Sequence, residues 1–541
     1  MSVKNKIESF YLKYIKKNMG LPSRNDLIAF SKEFITRDKI RHYYQNYTSF
    51  EELMQKKYPE AFENLINKDL FNDENARKLE ESIKNYDYFV ITTAVTGKLV
   101  HEKAFKSLQN YCKANNAKLL ILPCSDPASN SGDNWELDPA LGKDNIVFKD
   151  LKLNNNFFIS NIKLSAKHIN PLTGLSRIGQ RQGSFVYASP KQSLEYVATS
   201  LSKKIPRALM TTGAVTVSDY KTSKYMSERT SYLANADHVL GAIIVEIENS
   251  DIFHFRQIQI EPKTGDFYDL DKKYTSDGKI IKSRAALVQL GDYHVGETDT
   301  LAKQVAKDIC ALVQPKYLTL EDFFNGHSVS HHDEGKCLTE ASKVLTGKNY
   351  LSKELEECQK ELNDILTWKI DHIVVKYGNH EDFLYRWLNR GGYLKQPQNH
   401  AIGVKIANAL LNEGFSNPIE YALTELYPLK KDKKKVTFLG INDSFKVGGV
   451  ENGAHGHLGP NGSMNPGLMG LEKAYGAVNA GHTHTAGILR SVFRVGTTSF
   501  LKVSYNNGPS SWTQTHLIQH TNGSRQLINC IEGKFRKQRR K

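Results

Sequence analysis

The stretch LVQLGDYHVG, residues 287–296, decides how the second half of this chain is read. An apolar run from Leu287 to Leu290 has the length of a short strand, and Asp292 and His294 follow it directly. The arrangement recurs. Ile373 to Val375 lead into GNHE from Gly378, Gly476 to Ala480 lead into GHTH from Gly481, and AHGH starts at Ala454. Open α/β sheets carry their sites at strand ends, so the spacing predicts an α/β domain with one polar centre gathered there.

The side chains in these loops suit a metal. Asp292 and His294 are two apart, Asn379 and His380 are adjacent, and His482 and His484 are two apart, so each loop can direct a pair of groups into one crevice. Imidazole and carboxylate fit divalent first-row metals such as manganese, iron or zinc. No cysteine lies in any of the four motifs, which argues against a structural zinc site built on thiolates. A set of about six or seven nitrogen and oxygen donors exceeds what one ion needs; two ions about 3.5 to 4 Å apart would use them in a phosphoryl displacement.

In order and content these motifs resemble those of the calcineurin-like metallophosphoesterases: DxH, GDxxD or GDxxN, GNHE or GNHD, a lone His often written HGH, then GHxH. The likeness covers roughly half of the chain, residues 281–541. It implies a sandwich of two packed sheets flanked by helices and a pair of divalent ions, with manganese the expected metal. Carried over, Asp292, His294 and His484 would hold the first ion, and Asn379, His455 and His482 the second. Asp322 would bridge them, and His380 would contact the scissile phosphate or protonate the leaving oxygen. At Glu321 this chain departs from the Gly of the family motif, which bears on the loop because Gly reaches conformations that Glu avoids. His457 and the cluster His327, His331 and His332 are further candidates for the substrate groove.

Composition frames the substrate. The 541 residues suggest about three domains, and 73 Lys and Arg against 58 Asp and Glu leave a formal charge of +15, which favours a polyanion such as nucleic acid. Residues 1–70 read as a helical, helix-turn-helix-like module. Ile7, Phe10, Tyr11, Tyr14 and Ile15 have helical spacing; a second helix opens near Ser23, and Thr36 can cap a third that carries Arg37, Lys39 and Arg41 as candidate DNA contacts. A fourth, capped near Ser49, runs through Leu53 and Met54. The alternative for this module is a bundle used in protein contacts.

Residues 71–280 read as an α/β domain of unassigned role: Tyr88 to Thr92, a helix through Phe105 and Leu108, and Leu119 to Pro123 suggest a βαβ unit. Ser189 with Pro190 looks like a helix start, and Asp271 to Arg284 like a linker. Leu338 to Trp368 is a helical insertion in the metal domain, and the end of the chain is β-rich. The six cysteines form no CxxC and fit reduced thiols, and no segment is apolar and long enough for a bilayer. A cytoplasmic protein is expected, in the host cytoplasm if phage-encoded; self-association stays open.

Segments NGHSVSHHDE (325–334) and YNNGPSSWTQTH (505–516) also make the whole chain similar to the large phage-encoded DNases that are made early and degrade host DNA. That resemblance implies a DNase. A phosphatase or nucleotide phosphodiesterase with the same centre, and a non-catalytic DNA- or host-factor-binding protein, are the alternatives.

Overall fold

The computed structural model describes residues 2–18, 42, 47–59, 73–125, 137–165, 168–200, 207–222, 226–430, 432–503 and 506–538. The protein is mixed α/β, with several mixed sheets. The sheet that carries the first motifs has six strands in the order Val436–Phe438, His372–Val375, Tyr317–Leu320, Leu287–Gln289, Thr515–Gln519, Arg525–Asn529. The first four run parallel to one another, and Thr515–Gln519 is antiparallel to Leu287–Gln289. Alternation along the strands decides what each face meets. Val288, Leu290, Leu318, Leu320, Ile373 and Val375 pack with helices that include Thr300–Val313 and Leu351–Ile365, while Leu287, Leu517 and Leu527 face the other sheets.

A ten-stranded sheet carries the later motifs. It begins Lys446–Val447, Val450–Glu451, Val478–Ala480, Val492–Arg494, Gly487–Leu489 and then continues into Ser193–Val197, Arg207–Thr211, Ser184–Ala188, Phe157–Lys163 and Leu151–Asn154. Ile488 pairs with Leu194 and Leu489 with Ser193, so backbone pairing bridges the division at residue 280. One apolar cluster does the same: Phe89, Ile243, Val186, Leu194, Ile488, Phe493, Leu287 and Leu527 all belong to it.

The βαβ unit is present as Tyr88–Val95, Glu102–Asn115 and Lys118–Cys124, with the two strands parallel. Gly241–Ile247 joins them antiparallel. Three local expectations change. Residues 271–284 are no open linker, because Phe267–Asp269, Lys272–Tyr274 and Ile280–Lys282 form an antiparallel sheet that turns at Gly278 (φ +88) and packs Phe267 and Tyr274 against Tyr111. Pro190 starts no helix: Lys191 N–H donates to Ser189 Oγ, and the chain enters the buried strand Ser193–Val197. The 338–368 insertion is two helices, Cys337–Thr346 and Leu351–Ile365, since Gly347 ends the first in the left-handed conformation (φ +70).

At the amino end, Val3–Asn18 and Tyr47–Lys57 are helical as expected. Tyr11 meets Phe50 edge-on at 5.0 Å, and Glu8, 2% exposed, accepts from Lys57 and Tyr58. The second and third helices of that module, with Arg37, Lys39 and Arg41, lie outside the described residues.

Candidate metal centre

Each motif sits where its strand stops. Asp292 follows Leu287–Gln289, Asp322 follows Tyr317–Leu320, and Asn379 opens the helix Asn379–Asn389 after His372–Val375; these are adjacent parallel strands, so the three side chains converge. His455, His482 and His484 arrive from the other sheet, after Val450–Glu451 and Val478–Ala480. Two glycines let the loops meet. A Cβ on Gly378 would collide with Asp322 Oδ1, and one on Gly481 with the Asp292 and Glu321 carboxylates.

Two groups of donors result. Asp292, His294 and His484 form one; Asp322, His455 and His482 form the other, and Asp322 also lies with His294 and His380. In the first, His484 Nε2 is 3.1 Å from Asp292 Oδ2 and 2.9 Å from His294 Nε2. In the second, His455 Nε2 is 3.2 Å from Asp322 Oδ2 and 3.1 Å from Asn379 Oδ1, which in turn is 2.8 Å from His482 Nδ1. Asp292 Oδ2 is buried and makes no hydrogen bond. Nitrogen and carboxylate oxygen donors facing one another at such separations could hold divalent cations. All seven residues expected as ligands are brought together.

Electrostatics match. Burial alone would push the Asp292 carboxyl up, but His484 and His455 outweigh it and hold it below the usual carboxylate range. Asp322 is held well below that range by His455 and His380, again against burial. Burial first, then His380 and His484, hold His294 well below an ordinary histidine, and burial with His455 lowers His482 to about 4. Metal ligation requires deprotonated histidines, which suits His294 and His482. His455 differs, because Asp322 and Glu321 outweigh its burial and hold it well above an ordinary histidine, so a metal there would have to displace its proton.

Asp322 (φ +39), His294 (φ +49), His482 (φ +78) and His484 (φ +56) all adopt the left-handed backbone region. Such conformations cost of order 1–3 kcal/mol each in non-glycine residues and cluster at functional sites. Glu321 is not among the positive-φ residues; the departure from Gly is accommodated because the left-handed turn falls on Asp322.

His380 stands beside the ligands. Its Nδ1–H donates to the Asn325 carbonyl at 2.6 Å, which leaves Nε2 toward the centre, 3.9 Å from Asp322 Oδ2. Its ring packs on Phe383 and His294. Glu381 accepts from the Gly378 and Phe324 amides and so ties two motif loops together. A cleft of about 1110 Å³ opens from Asn379 and His380, lined also by His327, His332, Lys336, Lys343, Lys348 and Lys502. His331 stacks with His332 and Phe383 at its side. His457 is buried beside His455 and His482, with ring centroids 5.4 and 6.0 Å away.

Four neighbours were not foreseen in these roles. Asn465 Oδ1 accepts from His482 Nε2 at 2.5 Å, Trp512 packs 4.1 Å from the His484 ring, and Gln289 and Lys376 contact Glu321 beneath the centre. Only the last two left a signal, as polar residues in or next to otherwise apolar strands. At the carboxyl end, Lys534 pairs with Glu248 and Lys537 with Asp87, so the described part of the tail is strapped to the protein. All six cysteines are free thiols.

The chain is 30% identical over 477 residues, 84% of its length and 83% of the relative's, to Protein A1 of Escherichia phage T5. It belongs to the Protein A1 family. No family model matches the chain, and no solved structure does. The His and Asp clusters are compatible with a metallophosphoesterase. Among the described residues no helix is long and apolar enough to cross a membrane.

Proposed function

We propose that the protein is a two-metal phosphodiesterase that hydrolyses DNA, a phage nuclease acting on the host chromosome. The observation that carries this reading is the convergence of Asp292, His294, Asp322, Asn379, His455, His482 and His484 into two abutting donor groups at the ends of two sheets. Two divalent ions held there, manganese by the family resemblance, would supply Lewis acidity to a phosphate and lower the pKa of a water.

The protein's own groups do the rest. His380 commits Nδ1–H to Asn325, so Nε2 is the atom facing the centre, and it can hand a proton to a departing sugar oxygen once it has taken one up there as the imidazolium. Lys336 and Lys502 line the cleft with no ion-pair partner among the described residues, whereas Lys343 and Lys348 are paired with Asp333 and Glu297. A wide basic cleft and a charge of +15 favour a polyanionic polymer over a small phosphate.

The test is incubation of purified protein with linear and closed circular DNA, with manganese, magnesium or chelator. Cleavage that needs a divalent ion and vanishes in Asp292→Ala is expected. Hydrolysis of nitrophenyl phosphate without any action on DNA would assign a phosphatase instead, and binding of DNA without cleavage would assign a binding protein.

A further inference from the structure

Beneath the second donor group lies a buried ion pair that the family motif does not call for. Glu321 and Lys376 are each 0% exposed, and Lys376 Nζ is 2.6 Å from Glu321 Oε1. Lys376 also faces the carbonyl oxygens of Ala454 and Asn479 and Gln289 Oε1, at 3.2 to 3.3 Å. The other carboxylate oxygen, Oε2, accepts from His455 Nδ1 at 2.8 Å. His455 is therefore held from behind, with Nε2 directed at Asp322 and Asn379. No such carboxylate backs the first group: His294 Nδ1 and His484 Nδ1 are buried and meet no acceptor among the described residues.

We propose that Glu321 is a positioning residue for the second metal: it fixes His455 in the tautomer whose Nε2 can ligate, and Lys376 holds Glu321 back from becoming a ligand itself. The need is local. Apart from Asp322, which lies with both groups, the second has Asn379, a neutral amide, where the first has the Asp292 carboxylate, so an anion behind His455 compensates for the weaker donor. A histidine that donates its outer N–H to a carboxylate is a more basic, better oriented ligand, and loss of such a partner typically weakens metal binding about 10- to 100-fold. Lys376 is equally constrained. Without it Glu321 would be an unpaired buried charge close enough to Asp292 and His455 to form a donor group with them.

This inference rests on the two-metal reading above, and manganese binding tests it without reference to cleavage. The informative variant is Glu321→Leu with Lys376→Met, which replaces a buried pair by apolar groups of similar size, an exchange that is often neutral or stabilising. His455 then loses its acceptor while no charge is stranded. In manganese titrations followed by calorimetry and electron paramagnetic resonance, the wild type should take up two ions with a spin-coupled signal. The double variant should keep one ion at wild-type affinity, bind the other about 10- to 100-fold more weakly, and melt near the wild-type temperature in chelator. Two ions bound by the double variant at wild-type affinity would overturn the proposal and leave the metal centre standing. No manganese bound by the wild type would overturn both.

Discussion

At the scale of single residues, the proposed centre separates groups that would hold metal from one that would handle a proton. His380 has its Nδ1 tied to Asn325 and its ring wedged between Phe383 and His294, so its orientation does not depend on any ligand. Replacing it by Gln should lower the rate of DNA cleavage about 10²- to 10⁴-fold, the usual contribution of a general acid. Metal content, measured by elemental analysis, should stay at two ions; loss of an ion in this variant would make His380 a ligand and remove its assigned role. Glu321 shows how far a motif carries. The sequence flags it as a departure from Gly, but whether a Glu strains that loop depends on which residue takes the positive φ, and here Asp322 does.

At the scale of elements, what holds the middle strands to the metal-bearing sheets includes a polar knot. Arg256, on Phe253–Gln259, donates to Glu246 Oε1 at 2.6 Å and to Asp269 Oδ2 at 2.8 Å, and all three side chains are about 5% exposed or less. Tyr111 donates to Asp269, and Gln526 of the six-stranded sheet reaches the same carboxylate at 3.3 Å. Arg256 and the hydrogen bonds from Tyr111 and Gln526 outweigh burial and hold Asp269 below the usual carboxylate range. Arg256→Leu strands two buried carboxylates and should cost about 3–5 kcal/mol, the range found when one partner of a buried pair is removed. Urea unfolding measures it, and a change under about 1 kcal/mol would mean that the knot contributes little net stability. The sequence offered no reading of this knot, since Glu246, Arg256, Asp269 and Gln526 come together only when four separate segments pack.

At the scale of the whole molecule, buried histidines far from the metal centre make stability depend on pH. Burial lowers both His254 and His520 to about 4, and each is 1% exposed. An unfolded histidine titrates near 6.5, so between about 6.5 and 4 the unfolded chain binds protons that the folded one refuses. Stability is fully present above about pH 6.5 and falls as pH drops, by about 1.4 kcal/mol per pH unit for each such group. Calorimetry in chelator should show the melting temperature dropping from pH 7 to pH 5; a flat profile would mean that both histidines bind protons alike in the folded and unfolded chain.

The seven candidate ligands and His380, which the structure brings together, were legible in the linear chain, because short apolar runs mark strands and the polar motifs follow them at the strand ends. The βαβ unit and the outer helices of the amino-terminal module were legible for the same reason, as local periodicity. Tertiary structure alone decided the rest. Strand order carries the ten-stranded sheet across residue 280, since Leu194 and Ile488 become neighbours only through a pairing 294 positions apart. It also decided what stands behind the candidate ligands: no motif gives Asn465, Trp512, Gln289 or Lys376 that role, and only packing brings them to His482, His484 and Glu321. Local pattern records which groups a chain offers, whereas their partners are set by contacts between residues far apart in sequence.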